Sequence, residues 1–452
     1  MTMDKEKVSV SVPCGAKQAE EMRRRIELGD VMDPCVWTDR MQATLVRGVE
    51  GGKWYSLMDK VGALPTLQRA WELVKSNDGA GGVDGVSIEW FGRDVQTRLS
   101  KLAKDLRKGV YKPKSVLRKW IDKPGSTEPR PLGIPTVRDR IVQTALRLVI
   151  EPIFEIEFAP SSHGFRRGHS CHDALLEVEQ LLEAGYTWVL DADVKSYFDT
   201  ISHQKLMELV SERIADGRVL DLISAFLEAE ILDGLTMWKP EEGTPQGAVI
   251  SPLLANIYLN VLDQRMASLG YRMIRYADDF VLLCESEAQA QLALAEVLRY
   301  MSAWDLELHP TKTRIVDARL KGEGFDFLGY HFERGGKMWP SKQSMKTLRS
   351  RLKPLTKRTA GVSMGALAHR INLILRGWYA YFKLGNSFDR VALDSWLRGR
   401  LRSILRKRCK RRGRARGIDH QRWPNAHFHA LGFFSLGDAS ALDRLSLFEA
   451  KY

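Results

Sequence analysis

Residues 271–284 read Tyr271-Arg272-Met273-Ile274-Arg275-Tyr276-Ala277-Asp278-Asp279-Phe280-Val281-Leu282-Leu283-Cys284. Two apolar stretches of strand character flank Ala277-Asp278-Asp279, which the pattern places near a turn. A second acidic strand lies upstream, in Trp188-Val189-Leu190-Asp191-Ala192-Asp193-Val194. Its alternation sends Trp188, Leu190, Ala192 and Val194 one way and Val189, Asp191 and Asp193 the other. Asp is disfavoured in strands, and carboxylates brought together resist ionising. A divalent cation answers both objections. Two Mg²⁺ ions bridged by carboxylates of adjacent strands can clamp the attacking and leaving oxygens of phosphoryl transfer. Oxygen ligands without His or Cys suit Mg²⁺ rather than Zn²⁺. Taken singly, each motif reads equally well as a turn pair or a strand-end residue.

Working outward, residues 61–110 read as helices around the Gly-rich loop Asn77–Gly85, a weak phosphate signal and more often a plain turn. Residues 111–136 predict a strand pair with a turn at Pro124-Gly125-Ser126, and 137–158 a helix. A helix capped by Ser202 follows the upstream acidic strand. Ser251-Pro252 predicts a helix start with Ser at the N-cap, preceded by the small-residue loop Gly243-Thr244-Pro245-Gln246-Gly247. Residues 287–303 are helical in spacing. The expectation is mixed α/β to about residue 335 and helix beyond.

The 452 residues carry a net charge of +13, unevenly spread. Residues 341–452 hold 25 Lys or Arg against 6 Asp or Glu, a net of +19, which leaves −6 on the remainder. Trp378, Tyr379, Tyr381, Phe382, Trp396 and Trp423 interleave with the basic residues. A solvated tail lacks such aromatics, so the pattern favours a folded surface for a polyanion. No apolar run approaches the ~20 residues that span a bilayer, so a membrane-spanning protein is not expected and no membrane partner is assigned, with an anionic membrane surface the lesser alternative for the basic segment. The N-terminus lacks a leader pattern. Cys14, Cys35, Cys171, Cys284 and Cys409 are scattered and odd in number, forming neither a disulfide framework nor a CxxC metal site.

Tyr276-Ala277-Asp278-Asp279 resembles the metal-binding box of reverse transcriptases. Its neighbours follow the ordered blocks of bacterial group II intron-encoded proteins: Arg130-Pro131-Leu132-Gly133-Ile134-Pro135-Thr136-Val137, Gly164-Phe165-Arg166, Asp193-Val194-Lys195-Ser196-Tyr197-Phe198-Asp199, the stretch Thr244–Asn256, Lys312-Thr313 and Phe327-Leu328-Gly329-Tyr330. Arg376-Gly377-Trp378-Tyr379-Ala380-Tyr381-Phe382 is similar to the maturase domain of that family. The resemblance implies right-hand polymerase fingers and palm with an antiparallel sheet over 61–340, after an N-terminal extension of 1–60. A helical thumb or maturase domain would occupy 341–410 and a basic aromatic tail 411–452.

The same resemblance implies Asp193 and Asp278 as the main Mg²⁺ ligands, with Asp279 as the third carboxylate. Lys123 and Arg130 match the residues that hold the incoming triphosphate, although Ile121-Asp122-Lys123 stands where the family often has Ile-Pro-Lys. Phe198 matches an aromatic floor under the sugar, and Gln246 and Gly247 the lining of the nucleotide pocket. Lys312 matches a position near the leaving pyrophosphate. Lys342, Lys346, Arg349, Lys353, Arg398, Arg402 and Arg406 are expected to face RNA. The implied partners are group II intron RNA, a DNA target or primer and deoxynucleoside triphosphates, with activity in the cytoplasm at the nucleoid. No Cys pattern of an HNH-type endonuclease occurs. The implied function is RNA-directed DNA synthesis with assistance to intron splicing. A splicing factor with a dispensable polymerase, or a domesticated reverse transcriptase of DNA repair or phage defence, fits the same residues.

Overall fold

A computed structural model describes residues 31–49, 51–122, 129–320, 322–386 and 388–449. Lys123 lies outside the described residues. In chain order the strands are β1 (Val116–Ile121), β2 (Arg130–Ile134), β3 (Trp188–Asp193), β4 (Ile231–Asp233), β5 (Thr236–Trp238), β6 (Arg272–Tyr276), β7 (Asp279–Cys284), β8 (Arg314–Asp317), β9 (Phe325–Phe327), β10 (Tyr330–Glu333) and β11 (Lys337–Pro340). Beyond Pro340 the described chain is helical. No helix among the described residues is long and apolar enough to cross a membrane.

The central sheet has the order β6-β7-β3-β8 and is antiparallel throughout. Its two faces enter different cores, as the alternation in β3 requires. Leu190, Ala192, Phe280 and Leu282 join the main core, where the helix Glu287–Ala303 packs on the sheet. Val189, Val281 and Leu283 join a second core with the helix Cys171–Glu183 and the small sheet β11-β10-β9. Asp191, Asp193 and Asp279 lie on that second face, where apolar cover gives out.

The strand pair expected at 111–136 forms as β1 and β2, with Ile121 opposite Arg130. It extends through β4 and β5 into a four-stranded sheet, in which β1 and β4 are parallel. Beside it runs the helix Val137–Glu155, buried along most of its length. Pro152 within that helix has no N–H to give to the carbonyl of Leu148. Trp37 supplies the donor instead, its Nε1 bonding Leu148 O at 3.0 Å.

Ser202 caps the helix His203–Ser211 as expected, its hydroxyl accepting from Lys205 N. At the helix Ser251–Ser268 the cap shifts by one residue. Ile250 is the N-cap and offers no side-chain bond, and Ser251 lies inside the first turn. The Ser251 hydroxyl donates instead to Pro245 O at 3.0 Å, folding the preceding loop back onto the helix. The Gly-rich loop 77–85 braces a helix: Arg140 donates to the carbonyls of Asp78 and Ala80 at 3.3 and 2.6 Å.

The helices Lys342–Leu355, Met364–Phe382 and Arg390–Arg408 enclose a separate core containing Leu352, Ile371, Leu375 and Leu401. Trp423, Phe428, Phe433 and Leu436 enter the same core, so the described part of the C-terminal tail packs onto these helices.

Two glycines test this packing. A Cβ on Gly164 would stand 2.1 Å from Ala277 N, against backbone that cannot step aside. Gly164→Ala is expected to destabilise the protein by about 1–3 kcal/mol. Gly399 has open space around its Cβ position within the helix Arg390–Arg408, so Gly399→Ala is expected to stabilise it by about 0.5–1 kcal/mol. Urea unfolding of the two variants reads both signs.

Candidate active site and nucleic-acid surface

Antiparallel pairing sets Asp193, the last residue of β3, directly opposite Asp279, the first of β7. Tyr276 is opposite Asp279 across the hairpin, leaving Ala277-Asp278 as its two-residue turn. Ala277 has φ +61°, the first-position conformation that lets a tight hairpin follow the strand twist. The segment 161–164 covers the outer edge of β6: Arg275 N donates to Ser161 O at 2.9 Å, and His163 N to Arg275 O at 2.8 Å. Carboxylates from two strands and a turn are thereby gathered by register alone.

Their surroundings disfavour charge. Burial and the neighbouring Asp191, Asp193 and Asp278 push the Asp279 carboxyl up to about 8. Burial, with Asp193 adding to it, also raises Asp278, opposed by Arg130 and Lys312. Asp191 is pushed up to about 6 by burial, although Arg314 pulls the other way from 3.3 Å. A cation relieves this strain, and the protein's own Lys312 ammonium already bonds Asp193 Oδ2. Among the described residues no three His, Cys, Asp or Glu side chains are arranged to hold a metal ion by themselves. An open set of hard oxygen donors suits an ion that keeps waters and shares substrate phosphates. The residues therefore fit a divalent metal.

A cleft of about 460 Å³ opens over these carboxylates. Its lining brings together Arg130, Asp193, Phe198, Gln246, Asp278 and Lys312. Arg130 comes from β2, and its Nε bonds Gln246 Oε1 at 2.8 Å. Gly247 has φ +108°, and a Cβ there would meet Gly133 O at 2.6 Å, so loop and strand backbones touch only because this residue is Gly. Phe198 is buried and meets Phe165 edge-on, with centroids 6.3 Å apart. Thr244 N donates to Phe198 O, tying the loop 243–247 to this aromatic residue.

Asp199 and His309 also line the cleft, although the sequence pattern does not single them out. Asp199 is the acceptor facing Gln246 Nε2 at 3.5 Å, and His309 N donates to Asp193 O at 2.8 Å. Asp199 closes the strand block of Asp193, which is the signal that could have drawn attention to it. His309 has only its nearness to Lys312.

The basic surface divides in two. Lys342, Lys346, Arg349 and Lys353 recur at helical spacing on Lys342–Leu355 and are exposed, while Leu348 and Leu352 face inward. Arg349 also approaches the Trp396 ring, at 5.8 Å. Arg398 is half-buried and faces Ser395 Oγ at 3.4 Å. Arg402 corrects the expectation of an RNA-facing residue, being only 3% exposed. Its guanidinium bonds Trp423 O at 2.9 Å and Asn425 Oδ1 at 2.8 Å. Arg406 is likewise turned to the tail, bonding the fully buried Asp419 at 2.8 Å and Arg412 O at 2.9 Å. Both side chains are spent on holding the tail, because its helices need partners for carbonyl and carboxylate oxygens that their packing removes from water.

Residues 121–332 match the family "Reverse transcriptase (RNA-dependent DNA polymerase)". Residues 345–423 match "Group II intron, maturase-specific domain", which implies binding of intron RNA. Protein YkfC of Escherichia coli (strain K12) is 34% identical over 355 residues, 70% of this chain and 88% of that protein. The group II intron-encoded protein LtrA of Lactococcus lactis subsp. cremoris is 38% identical over 206 residues, 46% of this chain. That match spans 34%, about a third, of LtrA. Among solved structures, telomerase from Candida albicans with a TWJ fragment of telomeric RNA is similar at 14% identity, over 72% of this chain and 64% of that one, with a TM-score of 0.42. A matched reverse transcriptase region followed by a matched maturase domain, with a relative 34% identical over 88% of its own length, makes this chain a member of the group II intron-type reverse transcriptase/maturase family, an RNA-directed DNA polymerase dependent on divalent metal.

Proposed function

We propose that this protein binds group II intron RNA, assists its splicing and copies it into DNA from a target primer, using Mg²⁺ held by Asp193 and Asp278 with Asp279 beside them. The observation that carries the reading is the register of β3 and β7, which sets Asp193 opposite Asp279 and beside a cleft lined by Asp193, Asp278, Arg130, Gln246 and Lys312. Bound Mg²⁺ would supply charge for the attacking and leaving oxygens of nucleotidyl transfer.

The chain's own residues supply the rest. Arg130 offers a bidentate guanidinium to the triphosphate, and Lys123 a more flexible cation. Gln246 and Gly247 shape the floor below the templating base. The Phe198 ring, which lines the cleft, acts as the floor under the sugar and excludes a 2′-hydroxyl, selecting deoxynucleotides. Lys312 Nζ carries three N–H donors toward the departing pyrophosphate and can give it a proton or offset its charge. Lys342, Lys346, Arg349, Lys353 and Arg398 contribute phosphate contacts to RNA, and these weaken with salt.

Primer extension on an RNA template with Mg²⁺ tests the polymerase. Asp278→Ala is expected to lower extension by about 100-fold or more, while RNA affinity stays as in the wild type. Extension by Asp278→Ala at the wild-type rate rejects the assignment. In Phe198→Ala, ribonucleotide incorporation is expected to rise relative to deoxynucleotide incorporation, and unchanged sugar selectivity removes the gate. The two kinds of basic residue are separable as well. Lys346→Ala is expected to weaken RNA binding across sequences and reduce the salt slope by about 1, without changing thermal stability. Arg402→Ala is expected to cost about 1–3 kcal/mol of stability by stranding buried acceptors. Filter binding across a salt series and thermal unfolding distinguish them.

A further inference from the structure

Arg275 precedes the catalytic turn and is 1% exposed. Its ion pair with Asp263 is 3% exposed on the carboxylate side and is bidentate, with Nε 2.8 and 3.0 Å from the two oxygens. Nη2 makes a further bond to Asp263 Oδ2. This leaves Nη1, which is also used: it donates to Asn256 Oδ1 at 3.0 Å and to Ala277 O at 2.8 Å. The Asn256 amide then donates to Gly164 O at 2.8 Å. Gly164 is the residue whose backbone presses on Ala277 N. One guanidinium and one amide thus hold the hairpin turn from inside and the segment that backs it from outside.

A surface ion pair would not explain this arrangement. Burying two charges is costly, and a close-packed apolar pair of similar volume often does as well for stability. The extra bonds are directed at carbonyls rather than at solvent. The first of them, Ala277 O, belongs to a non-glycine residue at φ +61°, a conformation that persists where its surroundings enforce it. Asp278 is the next residue. A two-residue turn has no slack, so a rotation of the Ala277 peptide would carry the Asp278 carboxylate with it. Asn256 and Asp263 stand about two turns apart on the helix Ser251–Ser268, which presents both to Arg275 from one face.

We infer that Arg275, anchored by Asp263 and Asn256, is a positioning residue that fixes the Ala277-Asp278 turn and so aims the Asp278 carboxylate at its metal. The inference rests on the reading of Asp278 as a metal ligand. Arg275 itself touches neither substrate nor metal in this scheme. It acts through the peptide that carries Asp278, as the outer partners of metal ligands do elsewhere.

The test replaces the buried pair by apolar side chains, Arg275→Met together with Asp263→Leu, which keeps the volume filled while removing the donor to Ala277 O. The full-length variant is first compared with wild type by circular dichroism, thermal midpoint and RNA affinity. The free protein is then titrated with Mg²⁺ and with Mn²⁺, following the metal-induced rise in unfolding temperature, and single-nucleotide extension is measured in parallel. A folded variant is expected to need about 10–100-fold more metal for the half-maximal thermal shift and to lose a similar factor in kcat, with KM for the nucleotide unchanged. A folded variant with the wild-type metal midpoint and kcat overturns the inference and leaves the pair a matter of stability alone. Should the double variant not fold, Arg275→Lys takes its place, since one ammonium keeps the charge but cannot span Asp263, Asn256 and Ala277 O. The same two readings then decide. Asp278→Ala is run alongside. Its full activity would defeat the functional reading, whereas an inactive Asp278→Ala beside an unaffected Arg275 variant defeats only the positioning.

Discussion

Carboxylates gathered at the end of one sheet repel one another, and most of what surrounds them can be understood as the means of holding them there. Asp193 and Asp279 are forced opposite each other by pairing that continues through Trp188 and Cys284 at the far ends of β3 and β7. To move either carboxylate, the sheet would have to slip, and a slip of one residue would turn Leu190, Ala192, Phe280 and Leu282 out of the main core. Apolar burial on both faces therefore works against the repulsion. The unfavourable charge that remains shows in the raised Asp279 and Asp191 carboxyls and in the Lys312 ammonium bonded to Asp193. A site so short of positive charge is prepared for a divalent ion.

Much of this was legible in the chain, and the reason is periodicity. The alternation from Trp188 to Val194 and the apolar stretches either side of Ala277-Asp278 specify both strands, their facing and the turn between them. Loop residues were legible only through resemblance to a family: nothing in the spacing of Arg130, Gln246 and Lys312 says that they meet in one cleft. The Ser251 cap was misplaced by one position because Ser-Pro favours a helix start, yet the hydroxyl has a better partner in Pro245 O, which is visible only in three dimensions. Arg402 and Arg406 failed for a related reason. A basic residue on a cationic helix looks solvent-facing until the chain returns as Trp423, Phe428 and Asp419 to cover it.

That return changes the meaning of the charge imbalance. A net of +19 over residues 341–452 suggests one continuous phosphate-gripping surface. Several of these cations are instead structural. Arg390 donates to Lys383 O and Gly385 O, Arg400 to Thr356 Oγ1, and Arg408 to Ala360 O. Arg suits this work because its several fixed donors can satisfy more than one carbonyl at a helix end. Exposed cations remain on Lys342–Leu355, among them Lys342, Lys346, Arg349 and Lys353, and over residues 407–422, among them Lys407, Lys410, Arg411, Arg412, Arg414 and Arg416. Arg residues such as Arg390, Arg400 and Arg402 thus build the fold, while others, such as Arg349 and Arg351, stay exposed beside the Lys residues.

The helix Ser251–Ser268 connects these layers. Its first turn ties down the loop that carries Gln246, through Ser251 and Pro245. Its middle and later turns hold Arg275 through Asn256 and Asp263. Val249, just before it, is anchored to Gln143 on the helix Val137–Glu155. The loop that carries Gln246 and the Ala277-Asp278 turn are therefore mounted on one helix rather than on two independent supports. In the proposed reaction the nucleotide phosphate and the carboxylates must meet with precision, and a common support holds their separation. The low amphipathicity of this helix has the same origin. A rod that ties down a loop at its start, holds Arg275 further along and packs into the core between must be buried along most of its length, so its sequence, Ser251 to Ser268, shows no clean polar face.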